Sequence, residues 1–81
     1  MQTNINTHGM EKKLNRIKVV LAEKNKPNKW LVEKLGVSPT TVSKWVTNTC
    51  QPSMETFMKI AQLLDVDINE LLRFDELNND K

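Results

Sequence analysis

The chain predicts an all-α fold, and three observations carry that expectation. Apolar residues recur three and four apart through Leu14–Leu21, Leu31–Leu35, Val42–Trp45 and Phe57–Leu64. Helix stop and start residues punctuate those stretches: Gly36, then Ser38-Pro39, then Ser53. Strand signals are missing, with no sustained alternation, no tyrosine and only two glycines.

Residues 1–10 are polar and unpatterned, so a disordered N-terminal tail is expected there. Helix one is expected over Glu11–Lys24. It places Leu14, Ile17 and Leu21 at core spacing, with Val20 flanking and Lys12, Lys13, Arg16 and Lys18 covering the rest. Asn25-Lys26-Pro27 breaks the chain and leaves open which of Lys26 and Pro27 caps helix two. Helix two ends near Leu35, because Gly36 adopts the left-handed terminating conformation without steric cost. Helix three runs from Pro39 to Val46. Ser38 supplies the cap, and the missing N–H of Pro39 costs nothing at the first helical position.

A polar loop, 47–52, leads to Ser53, the cap of helix four. Thr56 stands where a reciprocal capping box wants Glu or Gln, so the cap is expected to be partial. Phe57, Ile60, Ala61 and Leu64 form its buried stripe. Asp67 opens a short fifth helix through about Arg73 that buries Ile68, Leu71 and Leu72. An acidic tail, 74–81, follows. The organisation expected is one domain over 11–73 between two tails.

Helices two and three carry the functional signal. Leu31, Leu35, Val37, Val42 and Trp45 make one apolar patch across a very short turn, so the two helices must cross steeply. The opposite side of helix three presents Pro39, Thr40, Ser43, Lys44 and Thr47, with no acid. A solvated face usually mixes both charge signs and strong helix formers, whereas Thr and Ser are mediocre ones. Their clustering fits contact with base edges and phosphates in a DNA major groove. A plain solvated surface is the alternative.

Charge is distributed to match. Residues 11–48 hold nine Lys/Arg against three acids, a formal +6, while residues 49–81 hold three against seven, a formal −4. A positive field around the helix pair suits a phosphate backbone. Cys50 is the sole cysteine and His8 the sole histidine, so neither an internal disulfide nor a zinc site is expected. The longest aliphatic run, Val19–Ala22, is too short for a membrane span, and the N-terminus lacks a signal pattern. A cytoplasmic location is expected. No nucleophile–base pair, paired-carboxylate cleft or phosphate-binding glycine loop is present, so no enzyme and no cofactor are expected.

The residues Leu31, Leu35-Gly36-Val37-Ser38, Val42-Ser43-Lys44-Trp45, Gln51-Pro52-Ser53, Leu63-Leu64-Asp65-Val66 and Leu71-Leu72 resemble the Cro/repressor-like (Xre-type) helix-turn-helix family over about residues 11–73. The resemblance implies a compact five-helix lambda-repressor-like DNA-binding domain with its helix-turn-helix at helices two and three. Four positions depart from the family's habit. Val32 stands where alanine is usual at the close helix crossing. Asn28 stands where a phosphate-gripping glutamine is frequent. Val46 and Asn48 occupy places where an acid and a glycine are common, and asparagine also tolerates the left-handed backbone.

Candidate DNA-binding residues follow. Lys44 is the leading base reader, able to donate to guanine O6 or N7, with a phosphate contact or a solvated lysine as the alternatives. Thr40 lies one turn earlier on the same face. Pro39 starts the helix and could pack on the groove wall, Ser43 and Thr47 reach phosphates or bases, and Ser38 is a cap before it is a phosphate ligand. Asn28 and Lys29 open helix two, where the positive dipole end favours phosphate. Asn48, Thr49 and Gln51 form a second backbone clamp, and for all five of these residues an ordinary solvated loop or helix end is the alternative. Trp45 reads as core. Trp30 has three open placements: over the end of helix one, near the sugar-phosphate backbone, or against a partner.

The function expected is sequence-specific double-stranded DNA binding by a transcriptional regulator, as a repressor through occupancy. A homodimer through helix five and Phe74 would cover two half-sites. The rival is a protein-interaction module or antitoxin on the same fold, with the acidic C-terminal half as its contact surface.

Overall fold

The computed structural model describes residues 13–73, in four α-helices and one 3-10 turn. These are α1 (Ile17–Glu23), α2 (Asn28–Leu35), α3 (Pro39–Val46) and α4 (Met54–Leu64), followed by the 3-10 turn Ile68–Leu71. The expected tails, residues 1–10 and 74–81, and with them His8 and Phe74, lie outside the described residues. Among the described residues, no helix is long and apolar enough to cross a membrane.

The core is one cluster to which every element contributes. Ile17, Val20 and Leu21 come from α1, Leu31 from α2, and Val42, Trp45 and Val46 from α3. Phe57, Ile60, Ala61 and Leu64 come from α4, and Leu71 from the 3-10 turn. The expected patch is present, although Leu35 and Val37 pack at its margin, half-buried. Val46 faces inward at 8% exposure and also borders a hollow lined by Lys13, Arg16, Lys18 and Arg73.

Helix one is shorter than expected. Residues 13–16 are not helical, and Leu14 is half-buried outside the helix. The cause is Asn15. Its Oδ1 accepts from the Ile17 N–H at 3.0 Å, a local turn that competes with helix. Arg16 N–H also donates to Leu71 O at 2.8 Å, and Arg73 N–H donates to Leu14 O at 2.9 Å. This short antiparallel bridge, Asn15 against Leu72, also corrects the fifth helix. The segment makes one 3-10 turn capped by Asp67, whose side chain accepts from Asn69 N–H, and then extends at Leu72 to pair with the N-terminal segment.

Helix ends follow the residues that signal them. Ser38 Oγ accepts from Thr41 N–H at 3.1 Å, and Ser53 Oγ accepts from Thr56 N–H at 3.2 Å. Thr56 answers the missing glutamate in its own way, because Ser53 Oγ donates to Thr56 Oγ1 at 3.0 Å. Gly36 closes α2 at φ +68°, and Asp65 closes α4 at φ +58°.

Candidate nucleic-acid interface

The turn between α2 and α3 is only three residues, Gly36-Val37-Ser38, and it sets the site. Leu31 and Val42 are both fully buried where the helices pack, which fixes α3 against α2. The outer side of α3 is left open: Pro39, Thr40, Ser43, Lys44 and Thr47 are all exposed. Ser38 is exposed too, with its hydroxyl occupied in capping.

Thr47 Oγ1 turns back and donates to Ser43 O at 2.9 Å. It also lies 2.8 Å from Thr49 Oγ1. Lys44 O accepts from both Thr49 N–H at 2.8 Å and Cys50 N–H at 3.2 Å, so the last turn of α3 is tightly closed. Neither α2 nor α3 has an acid in its first turn. Their positive dipole ends are therefore uncompensated and attract anions.

Pro27, not Lys26, is the residue that caps α2, in extended conformation and with no side-chain hydrogen bond. Asn28 and Lys29, both exposed, open the helix there. Trp30 is half-buried against the core, with the Lys26 ammonium 5.2 Å from its ring centroid. The Lys26 cation over the Trp30 ring adds about 0.5–1 kcal/mol.

The loop after α3 is built differently from a free clamp. Asn48 takes the left-handed backbone at φ +63°. Its side chain, however, accepts from Asn15 N–H at 2.9 Å and donates to Asn15 O at 3.1 Å. Asn15, 2% exposed, donates from Nδ2 to Trp45 O at 3.0 Å and to Gln51 Oε1 at 2.7 Å. Gln51 Nε2 closes the circuit on Asn48 Oδ1 at 3.1 Å. The carboxamides of Asn48 and Gln51 are thus spent on holding the end of α3, while Thr49 stays exposed. Lys13, Arg16 and Lys18 gather at that end, around a hollow of about 130 Å³ beside Asn48.

Asn15 was missed in the sequence reading, although an asparagine just ahead of an apolar run is an ordinary start signal. Two more residues were missed. Val32 and Glu33 join Asn28, Lys29 and Pro39 around a groove of about 450 Å³ between the first turns of α2 and α3. Only the packed turn brings them beside Pro39.

Known proteins share this arrangement. Residues 16–76 match the model of the Cro/C1-type HTH DNA-binding domain. The chain is 41% identical over 54 residues to the HTH-type transcriptional activator BcrR of Enterococcus faecalis, covering 67% of this chain and 26% of that one. It is 52% identical to a candidate DNA-binding protein from Bacteroides fragilis of known crystal structure. That match has a TM-score of 0.73 and covers 74% of this chain and 97% of the other. With more than half its length matched and a helix-turn-helix of the right geometry, the chain belongs to the Cro/C1-type helix-turn-helix DNA-binding domain family.

Proposed function

We propose that the chain binds double-stranded DNA sequence-specifically and regulates transcription, repressing where its site overlaps a promoter. The observation that carries this is the exposed, acid-free face of α3, braced from behind by Leu31 and Val42. In this reading α3 lies in the major groove, where Lys44 and Thr40 meet base edges, and Pro39, Ser43 and Thr47 meet the groove wall. Asn28 and Lys29, at the helix end without a side-chain cap, take a phosphate on one flank. Thr49 takes another, next to Asn48, whose hollow Lys13 and Lys18 also line, and Ser38 acts first as a cap. Asn48 serves the site from behind, by fixing the loop. These backbone contacts set register and carry no sequence information of their own.

A dimer over two half-sites one helical turn apart completes the reading. Ile68 and Leu72, half-buried at the edge of the core, offer it an apolar seam. The activator name of the Enterococcus faecalis relative makes activation from a neighbouring site the natural second outcome for the same contacts.

Selection from random duplex DNA at two salt concentrations tests the proposal. An enriched motif whose affinity falls steeply with salt is the expected result. No enrichment, together with salt-insensitive capture of a protein partner, would favour an interaction module built on the same fold.

A further inference from the structure

The groove between α2 and α3 has a chemistry that a phosphate site would not have. Its wall is mainly apolar, and Val32 and Pro39 supply the carbon. Val32 is half-buried and Pro39 exposed, so the two form a step rather than a sealed pocket. Asn28, Lys29 and Glu33 stand around it. Glu33 matters for what can enter. Its carboxylate offsets the charge of Lys29 at this groove, so the apolar wall favours a carbon. The groove is continuous with the reading face, because Pro39 belongs both to its wall and to the exposed side of α3 that carries Ser43, one turn on.

In a duplex held against that face, one apolar group projects from base edges into the major groove: the 5-methyl of thymine. We propose that Val32 and Pro39 receive a thymine methyl, which makes Val32, a residue of the bracing helix, a determinant of base preference. The inference rests on the DNA-binding reading and goes beyond it, because it assigns part of the sequence readout to α2. Glu33 narrows the choice further. Its oxygens accept from the exocyclic amine of an adjacent adenine or cytosine, so a thymine flanked by such a base suits the groove best.

Deoxyuridine is the probe, since it keeps every hydrogen-bonding edge of thymine and lacks only the methyl. Each thymine of the selected duplex is replaced singly, and affinity is measured for the full chain and for Val32→Ala, which removes both γ-methyls. Losing one buried methyl weakens binding roughly fourfold. The expected result is at least one position with that penalty in the native chain and none there in Val32→Ala. Thr40→Ser should leave the penalty at that position intact, which separates this contact from one made by the Thr40 methyl. Two results overturn the inference. One is tight, salt-dependent binding with no uridine-sensitive position. The other is a sensitive position whose penalty survives in Val32→Ala. Failure to bind any duplex would remove the DNA-binding reading itself, and this inference with it.

Discussion

Asn15 and Asn48 hold each other by two reciprocal hydrogen bonds, main chain to side chain, at 2.9 and 3.1 Å. The Asn48 carboxamide thereby takes the place of a peptide group on a neighbouring strand. The carboxamide of Asn15, in turn, is spent on Trp45 O, Gln51 Oε1 and Ile17 N–H. Thirty-three residues of sequence separation are closed by these two asparagines.

Asn15→Ala tests that anchor. It keeps the main-chain half of the pair, leaves the Ile17 N–H without its partner and removes one of two donors to Trp45 O, which keeps Asn48 N–H. The expected cost is about 1–3 kcal/mol. In a domain of this size each kcal/mol lowers the thermal midpoint by roughly 4–8 °C, readable by circular dichroism. A midpoint unchanged from the native chain would mean that water replaces the carboxamide at no cost.

The left-handed positions divide by what else they do. Gly36, at φ +68°, has nothing within 4 Å of where a Cβ would sit, so Gly36→Ala pays for backbone strain alone, about 1 kcal/mol. Asn25, exposed at φ +58°, should accept glycine with a change of less than about 0.5 kcal/mol. Asn48 sits at nearly the same angle, φ +63°. Yet Asn48→Gly should cost about 1–2 kcal/mol, because two hydrogen bonds to Asn15 go with the side chain. Urea unfolding of the three variants ranks them directly, and equal effects at Asn25 and Asn48 would count against the anchor.

Val46→Glu restores the acid common in the family. Val46 is 8% exposed but lines the hollow with Lys13, Arg16, Lys18 and Arg73, so the carboxylate meets cations and should cost less than about 2 kcal/mol. Val46→Ile should remain within about 1.5 kcal/mol of the native chain. A loss of more than about 3 kcal/mol in the glutamate variant would mean that the carboxylate is buried without a cation partner.

Lys44→Ala and Lys29→Ala should weaken DNA binding in different ways. Loss of Lys44 is expected to cost about 1–3 kcal/mol and to relax preference at one base position. Loss of Lys29 should weaken binding evenly across sequences and lower the salt slope by about one. Titration of both variants on selected and scrambled duplexes at several salt concentrations separates the two. Identical profiles would place both lysines on the backbone.

Much of the scaffold was legible because its signals are local. Ser38 and Ser53 cap where they stand, Gly36 terminates where it stands, and the stripe Phe57, Ile60, Ala61, Leu64 is buried as its spacing requires. The open face of α3 follows from the same periodicity. What the sequence reading missed depends on partners distant in the chain. Helix one loses its first turn to Leu72, more than fifty residues away, and the fifth helix is cut short by the same pairing. Val32 and Glu33 become neighbours of Pro39 only after the turn has folded α3 back. Asn48 and Gln51 look like free loop amides until Asn15 is placed between them.

The bridge between Asn15 and Leu72 brings both flanks of the described core to one corner. Lys13 and Arg73, the ends of the described residues, therefore lie side by side at the hollow that Asn48 also lines. Whatever is fused, tethered or bound to either flank pulls on the same two-residue seam. Through Asn15 and the Trp45 carbonyl, that load reaches the trailing end of the DNA-facing helix.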